Sequence, residues 1–102
     1  LWRVETGAQI RSVPAVGDVD GDGALEILVG SADWLLYCLG VDGTTKWTIK
    51  VGNRVDASPL LTDLDQDGVK DIVLPVRGGK VFAWSCVARP QRAPIRKAAA
   101  FR

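Results

Sequence analysis

No histidine and no methionine occur among the 102 residues, and cysteine appears only as Cys38 and Cys86. Without histidine, the usual nucleophile–base–acid sets cannot be assembled, and a zinc site of the His/Cys kind is disfavoured. Two cysteines permit one disulfide or two half-buried thiols, and both readings stay open. No apolar run approaches the length that spans a bilayer. No secretory signal is visible, and the chain opens at Leu1, which reads as a fragment or a processed product. A glycine-rich phosphate loop is missing too: "RGGK", residues 77–80, lacks the length and the following helix. Acids are absent from residues 87–102, which carry Arg89, Arg92, Arg96, Lys97 and Arg102.

That last absence divides the chain. Residues 1–86 hold all twelve acids and eight basic residues, a net charge of −4, and the tail carries +5. The tail is rich in Arg, Ala and Pro without apolar periodicity, so it is expected to be disordered. Its five charges lack interleaved aromatics, so no nucleic-acid partner is expected. The hydrophobic share, 47%, suits one small globular domain over residues 1–86.

What is present is a repeat. Shifted by 45 residues, Trp2 falls on Trp47, Gly7 on Gly52 and Pro14 on Pro59. Asp18, Asp20, Asp22 and Gly23 fall on Asp63, Asp65, Asp67 and Gly68. Glu26 meets Asp71, Ile27 meets Ile72 and Tyr37 meets Phe82. The units run over about residues 2–46 and 47–86. A period of this length is shared by four-stranded propeller blades and by helical repeats. Short β-branched runs such as "EILVGS", "DIVLPV" and "KVFAWS", set between Gly, Asp, Asn and Pro, decide for strands. Strands are expected near residues 2–6, 12–17, 25–31, 34–40, 45–51, 57–62, 70–76 and 80–85. "VDGT", residues 41–44, and "RGGK" are the hairpin turns. The fold class is therefore all-β: two four-stranded antiparallel blades of a partial β-propeller. The second unit lacks a fourth strand of its own, and the strand around Trp2 is expected to be lent across.

Each unit packs its carboxylates into one short loop, "DVDGDGALE" and "TDLDQDGVKD". Like charges this close repel unless something neutralises them. Asp18, Asp20 and Asp22, the carbonyl of Ala24 and Glu26 would surround one centre, with Gly23 at the sharp turn. In the second unit the set is Asp63, Asp65, Asp67, the carbonyl of Val69, and Asp71. All are hard oxygen donors, which suits Ca2+, one ion per loop and two in all; Mg2+ prefers fewer protein ligands. The twelfth position of each loop is apolar, Val29 or Leu74, which excludes an EF-hand. A site that recurs in both units also weakens a catalytic reading of the carboxylates.

The pair "SVPAVGDVDGDGALEILVGS" and "ASPLLTDLDQDGVKDIVLPV" resembles FG-GAP/VCBS-type repeats, the calcium-loop blades of integrin α-like propellers and of many bacterial surface proteins. The resemblance covers residues 2–86. It implies a propeller whose D-x-D-x-D-G-x-x-[DE] loops each bind one calcium ion that stiffens a hairpin. "VDGTTKW" is also similar to quinoprotein-type propeller repeats. The expectation is then a calcium-binding module for recognition or adhesion, extracellular, at the cell surface or periplasmic, and not itself an enzyme. Its partners would be a protein or carbohydrate ligand and neighbouring blades or other copies of the chain. The rival is a fragment of a propeller enzyme, a polysaccharide lyase or quinoprotein-like, whose active site lies outside the chain. Trp2 and Trp47 are expected to pack between blades. Trp34, whose counterpart is Gly79, is freer to make a contact.

Overall fold

The computed structural model describes residues 1–64, 66, 68–86 and 95–101. Every regular element among them is a strand: β1 (Ala15–Gly17), β2 (Glu26–Gly30), β3 (Leu35–Gly40), β4 (Thr45–Lys50), β5 (Leu60–Thr62), β6 (Asp71–Val76), β7 (Lys80–Cys86) and β8 (Ile95–Phe101). They form two four-stranded sheets in the orders β1-β2-β3-β4 and β5-β6-β7-β8. All pairings are antiparallel between neighbours in sequence, so each sheet is an up-and-down meander, the form of a propeller blade. Pro14 and Pro59 stand just ahead of β1 and β5, where a missing amide does least harm. The turns at 41–44 and 77–80 join β3 to β4 and β6 to β7 as expected, and Gly43, Gly78 and Gly79 supply the positive φ.

Two strands depart from the sequence reading. Residues 1–14 contain no strand. The outer place of the second sheet, which the strand around Trp2 was expected to fill, is taken by β8 from the basic tail. With the place beside β7 taken, Trp2 lies over the β3–β4 turn, where its indole donates to the Val41 carbonyl at 2.7 Å. Where a disordered tail was expected, Ile95–Phe101 is a strand; residues 87–94 and Arg102 lie outside the described residues.

Strand alternation sorts the side chains of the first sheet. Leu28, Leu36 and Cys38 are fully buried against the second sheet. Ile72, Leu74, Val76, Phe82 and Trp84 meet them from the other side, with the Phe82 and Trp84 rings stacked at 5.3 Å. Val51 and Val55, from the segment joining the blades, close the core, and the Val55 amide donates to the Ser31 carbonyl at 3.1 Å. Burial of this one apolar layer, at roughly 25 cal/mol per Å², is the main favourable term holding blade to blade. Trp47 packs against the same core, as expected of an inter-blade aromatic.

Candidate functional site: the acidic loops

The first loop joins β1 to β2. Pairing of Gly17 with Glu26 brings its two ends together, so the eight residues between must turn back on themselves. Gly21 and Gly23 make the turn with φ of 78° and 87°. The carboxylates then fold the loop around themselves. Asp18 accepts from the Gly21 and Gly23 amides, each at 2.9 Å, through its two oxygens. Asp20 accepts from the Asp22 amide at 3.2 Å, and Asp22 from the Ala24 amide at 2.9 Å. Glu26 is fully buried and accepts from the Val19 amide at 2.8 Å.

One oxygen from each of Asp18, Asp20, Asp22 and Glu26 lies within 4.8 Å of the others. The expected carboxylates are thus brought together. Ala24 lies between Gly23 and Glu26, as the sequence requires for a carbonyl ligand. The donor set and its spread fit a hard divalent cation. In the structure a side chain supplies positive charge at this place. Lys46 Nζ stands 2.8 Å from Glu26, 3.0 Å from Asp20 and 3.8 Å from Asp22. Its bond to Glu26, opposed by burial and joined by its bond to Asp20, holds the ammonium pKa well above the usual lysine value. Burial outweighs Lys46 at Asp20 and raises its pKa. The Ala24 amide, followed by the bond with Asp20, lowers that of Asp22.

The second loop repeats the frame as far as it is described. The Gly68 amide donates to Asp63 at 2.8 Å, as Gly23 does to Asp18. The Leu64 amide donates to Asp71 at 2.8 Å, as Val19 does to Glu26. Asp71 is 4% exposed, and its second oxygen is buried with no hydrogen-bond partner among the described residues. A buried carboxylate oxygen that lacks a donor is the kind of group a bound cation satisfies. Val69 keeps its place between Gly68 and Asp71; Asp65 and Asp67 lie outside the described residues.

Lys46 was not among the residues read from the sequence. It sits 26 positions from Asp20, and only a bulge in the β3–β4 pairing, where Cys38 faces Trp47 but Leu39 faces Thr45, directs it to the loop. A motif search along the chain has no signal for that.

The other end of the blade carries a separate polar knot. Asp33 accepts from the Gly7 amide at 2.9 Å, from the Leu35 amide at 3.1 Å and from the Tyr37 hydroxyl. Burial works against the Asp33 carboxylate, but these bonds together hold its pKa below the usual range. Burial, then the bond to Asp33, raises that of Tyr37. Beside it, Trp34 is 46% exposed at φ 76°, a backbone state that its counterpart Gly79 takes freely at φ 83°. Across this face, residues 1–14 cover an apolar cavity of about 190 Å³ whose lining includes Trp2, Ile10, Ile27, Val29, Tyr37 and Leu39.

Comparison with known proteins adds the following. A family model described as the lambda-carrageenase β-propeller domain matches residues 6–62. The lambda-carrageenase of Pseudoalteromonas carrageenovora is 40% identical over 48 residues, which are 47% of this chain and 5% of that protein. A lambda-carrageenase from another Pseudoalteromonas source matches to the same extent. The matched stretch is thus about half of this chain and a small part of either relative. The expectation of a non-enzymatic module is contradicted by these matches, because both relatives are carrageenases, and the rival reading, a fragment of a propeller enzyme, is the better supported. The repeat architecture was read correctly, as a β-propeller.

Proposed function

The chain belongs to the lambda-carrageenase β-propeller domain family, and on that premise we propose that it forms two blades of the propeller of a carrageenan-degrading enzyme. The observation that carries this reading is the family match, which runs from residue 6 through the whole first blade and into β5. The partner is then a carbohydrate polymer, held by a larger propeller to which these blades contribute. A polymeric substrate is met outside the cytoplasm, so the reading carries an extracellular, cell-surface or periplasmic location.

The second part of the proposal concerns the acidic loops, which we read as Ca2+ sites that stiffen the blades. Asp18, Asp20, Asp22, the Ala24 carbonyl and Glu26 would serve the first loop. Asp63, Asp65, Asp67, the Val69 carbonyl and Asp71 would serve the second. The convergence of oxygens in the first loop, the orphaned oxygen of Asp71 and the resemblance to FG-GAP/VCBS loops support this part. The ion would supply charge neutralisation and a rigid hairpin, and no chemistry on substrate.

The test is incubation of the polypeptide that carries this segment with lambda-carrageenan, followed by an assay of new chain ends. New ends are expected, and chelation of calcium is expected to lower the thermal midpoint. Unchanged chain length of the polymer would overturn the enzyme reading. An unchanged midpoint would overturn the calcium part.

A further inference from the structure

Two oxygens at equivalent places meet different fates. Glu26 gives one carboxylate oxygen to the Val19 amide and the other to the Lys46 ammonium, both at 2.8 Å. Asp71, 45 residues later, gives one oxygen to the Leu64 amide at 2.8 Å. The other oxygen, which corresponds to the lysine-bound one, is buried and meets no donor among the described residues. Asp71 is only 4% exposed, so bulk water does not make up the loss.

The register places a different residue at the equivalent bulge. In the first sheet the pairing shifts between Cys38 and Leu39, and the extra residue on β4 is Lys46. In the second sheet the pairing shifts between Ala83 and Trp84, which are 45 residues further on, and the extra residue on β8 is Ala98. The same bulge therefore holds a lysine in one blade and an alanine in the other.

We propose that the two loops are bridged by different cations: the first by the chain's own Lys46, the second by a divalent metal ion bound at Asp71 and Asp63. The inference rests on the calcium reading above and changes its count, from two ions to one. A lysine already bound to Asp20 and Glu26 competes with an incoming ion for the same oxygens. The second loop offers a buried oxygen with no competing donor among the described residues. Asp63, whose bond from Gly68 copies that of Asp18 from Gly23, stands at the entry of the loop as Asp18 does.

The test is calorimetric titration of the 102-residue chain with calcium chloride. Asp71→Asn, Asp20→Asn and Lys46→Met would be titrated beside it, and far-UV circular dichroism would report the fold of each. One equivalent is expected for the parent chain, none for Asp71→Asn, one for Asp20→Asn and two for Lys46→Met. The Asp20→Asn arm stands even if Asp71→Asn does not fold. Two equivalents of like affinity in the parent chain, or loss of its single equivalent in Asp20→Asn, would overturn the inference and leave the calcium reading in place. No binding by any folded variant would overturn both.

Discussion

Ile72, Leu74, Phe82 and Trp84 are buried between the two sheets, whereas Ile27, Val29, Tyr37 and Leu39, their counterparts 45 residues earlier, line a cavity under the N-terminal segment. The apolar or aromatic character matches at each pair and the environments do not. A blade's apolar face is complementary to a neighbouring blade, so what it buries depends on its place in the row. The segment that enters each blade shows the same contrast. Val55 is fully buried between the sheets, and its counterpart Ile10 is 47% exposed. The acidic loops differ in kind as well, since one holds a lysine and the other an oxygen with no partner among the described residues. A sequence repeat thus predicts conformation at both copies, but it predicts burial and charge balance only where the neighbours also repeat.

The strongest way to sharpen this contrast is a pair of truncations. Ile72→Ala removes packing from the closed interface and is expected to cost about 3 kcal/mol, against about 1 kcal/mol for Ile27→Ala on the cavity side. Urea unfolding of both variants checks it, and equal losses would erase the distinction between the faces. Gly30→Ala attacks the same interface through the backbone. A Cβ there would sit 2.1 Å from Val55 Cγ1, so the sheets must part, at an expected cost of about 2 kcal/mol in the same assay.

A smaller effect belongs to the polar knot of the first blade. The Asp33 carboxyl pKa is lowered in the folded chain. Its stabilising contribution is therefore complete above the ordinary value of 3.8 and is lost as the pH falls through the lower folded value. Asp33→Asn is expected to lose about 1 kcal/mol near neutral pH and to flatten the acid limb of the stability curve. Thermal melts across pH 2–7 read both. The smallest change runs the other way. Trp34 holds a left-handed backbone where the second blade has Gly79, so Trp34→Gly is expected to raise stability by up to about 1 kcal/mol. A loss of stability there would mean that the indole has a packing role its exposure does not suggest.

Much of the fold was legible because its markers are local. Glu26–Gly30 and Asp71–Val76 are strands bounded by Asp-Gly turns, and the 45-residue shift repeats those bounds. Ile95–Phe101 was not legible, because its alanine run has little strand propensity and it joins the sheet only through β7. The strand expected around Trp2 is absent for the complementary reason: the tryptophan matched Trp47, but the place beside β7 that it was to fill is taken by β8. In the candidate site, the four carboxylates of the first loop could be read from their spacing. Lys46 could not, since a bulge in a partner strand decides where its side chain goes.

The inequality of the two loops is the claim most exposed to a single measurement. An anomalous difference map from crystals of the 102-residue chain grown with calcium would locate every bound ion directly. One peak beside Asp63 and Asp71, with Lys46 still between Asp20 and Glu26, is the predicted result. A peak among Asp18, Asp20 and Glu26, with Lys46 displaced, would contradict it.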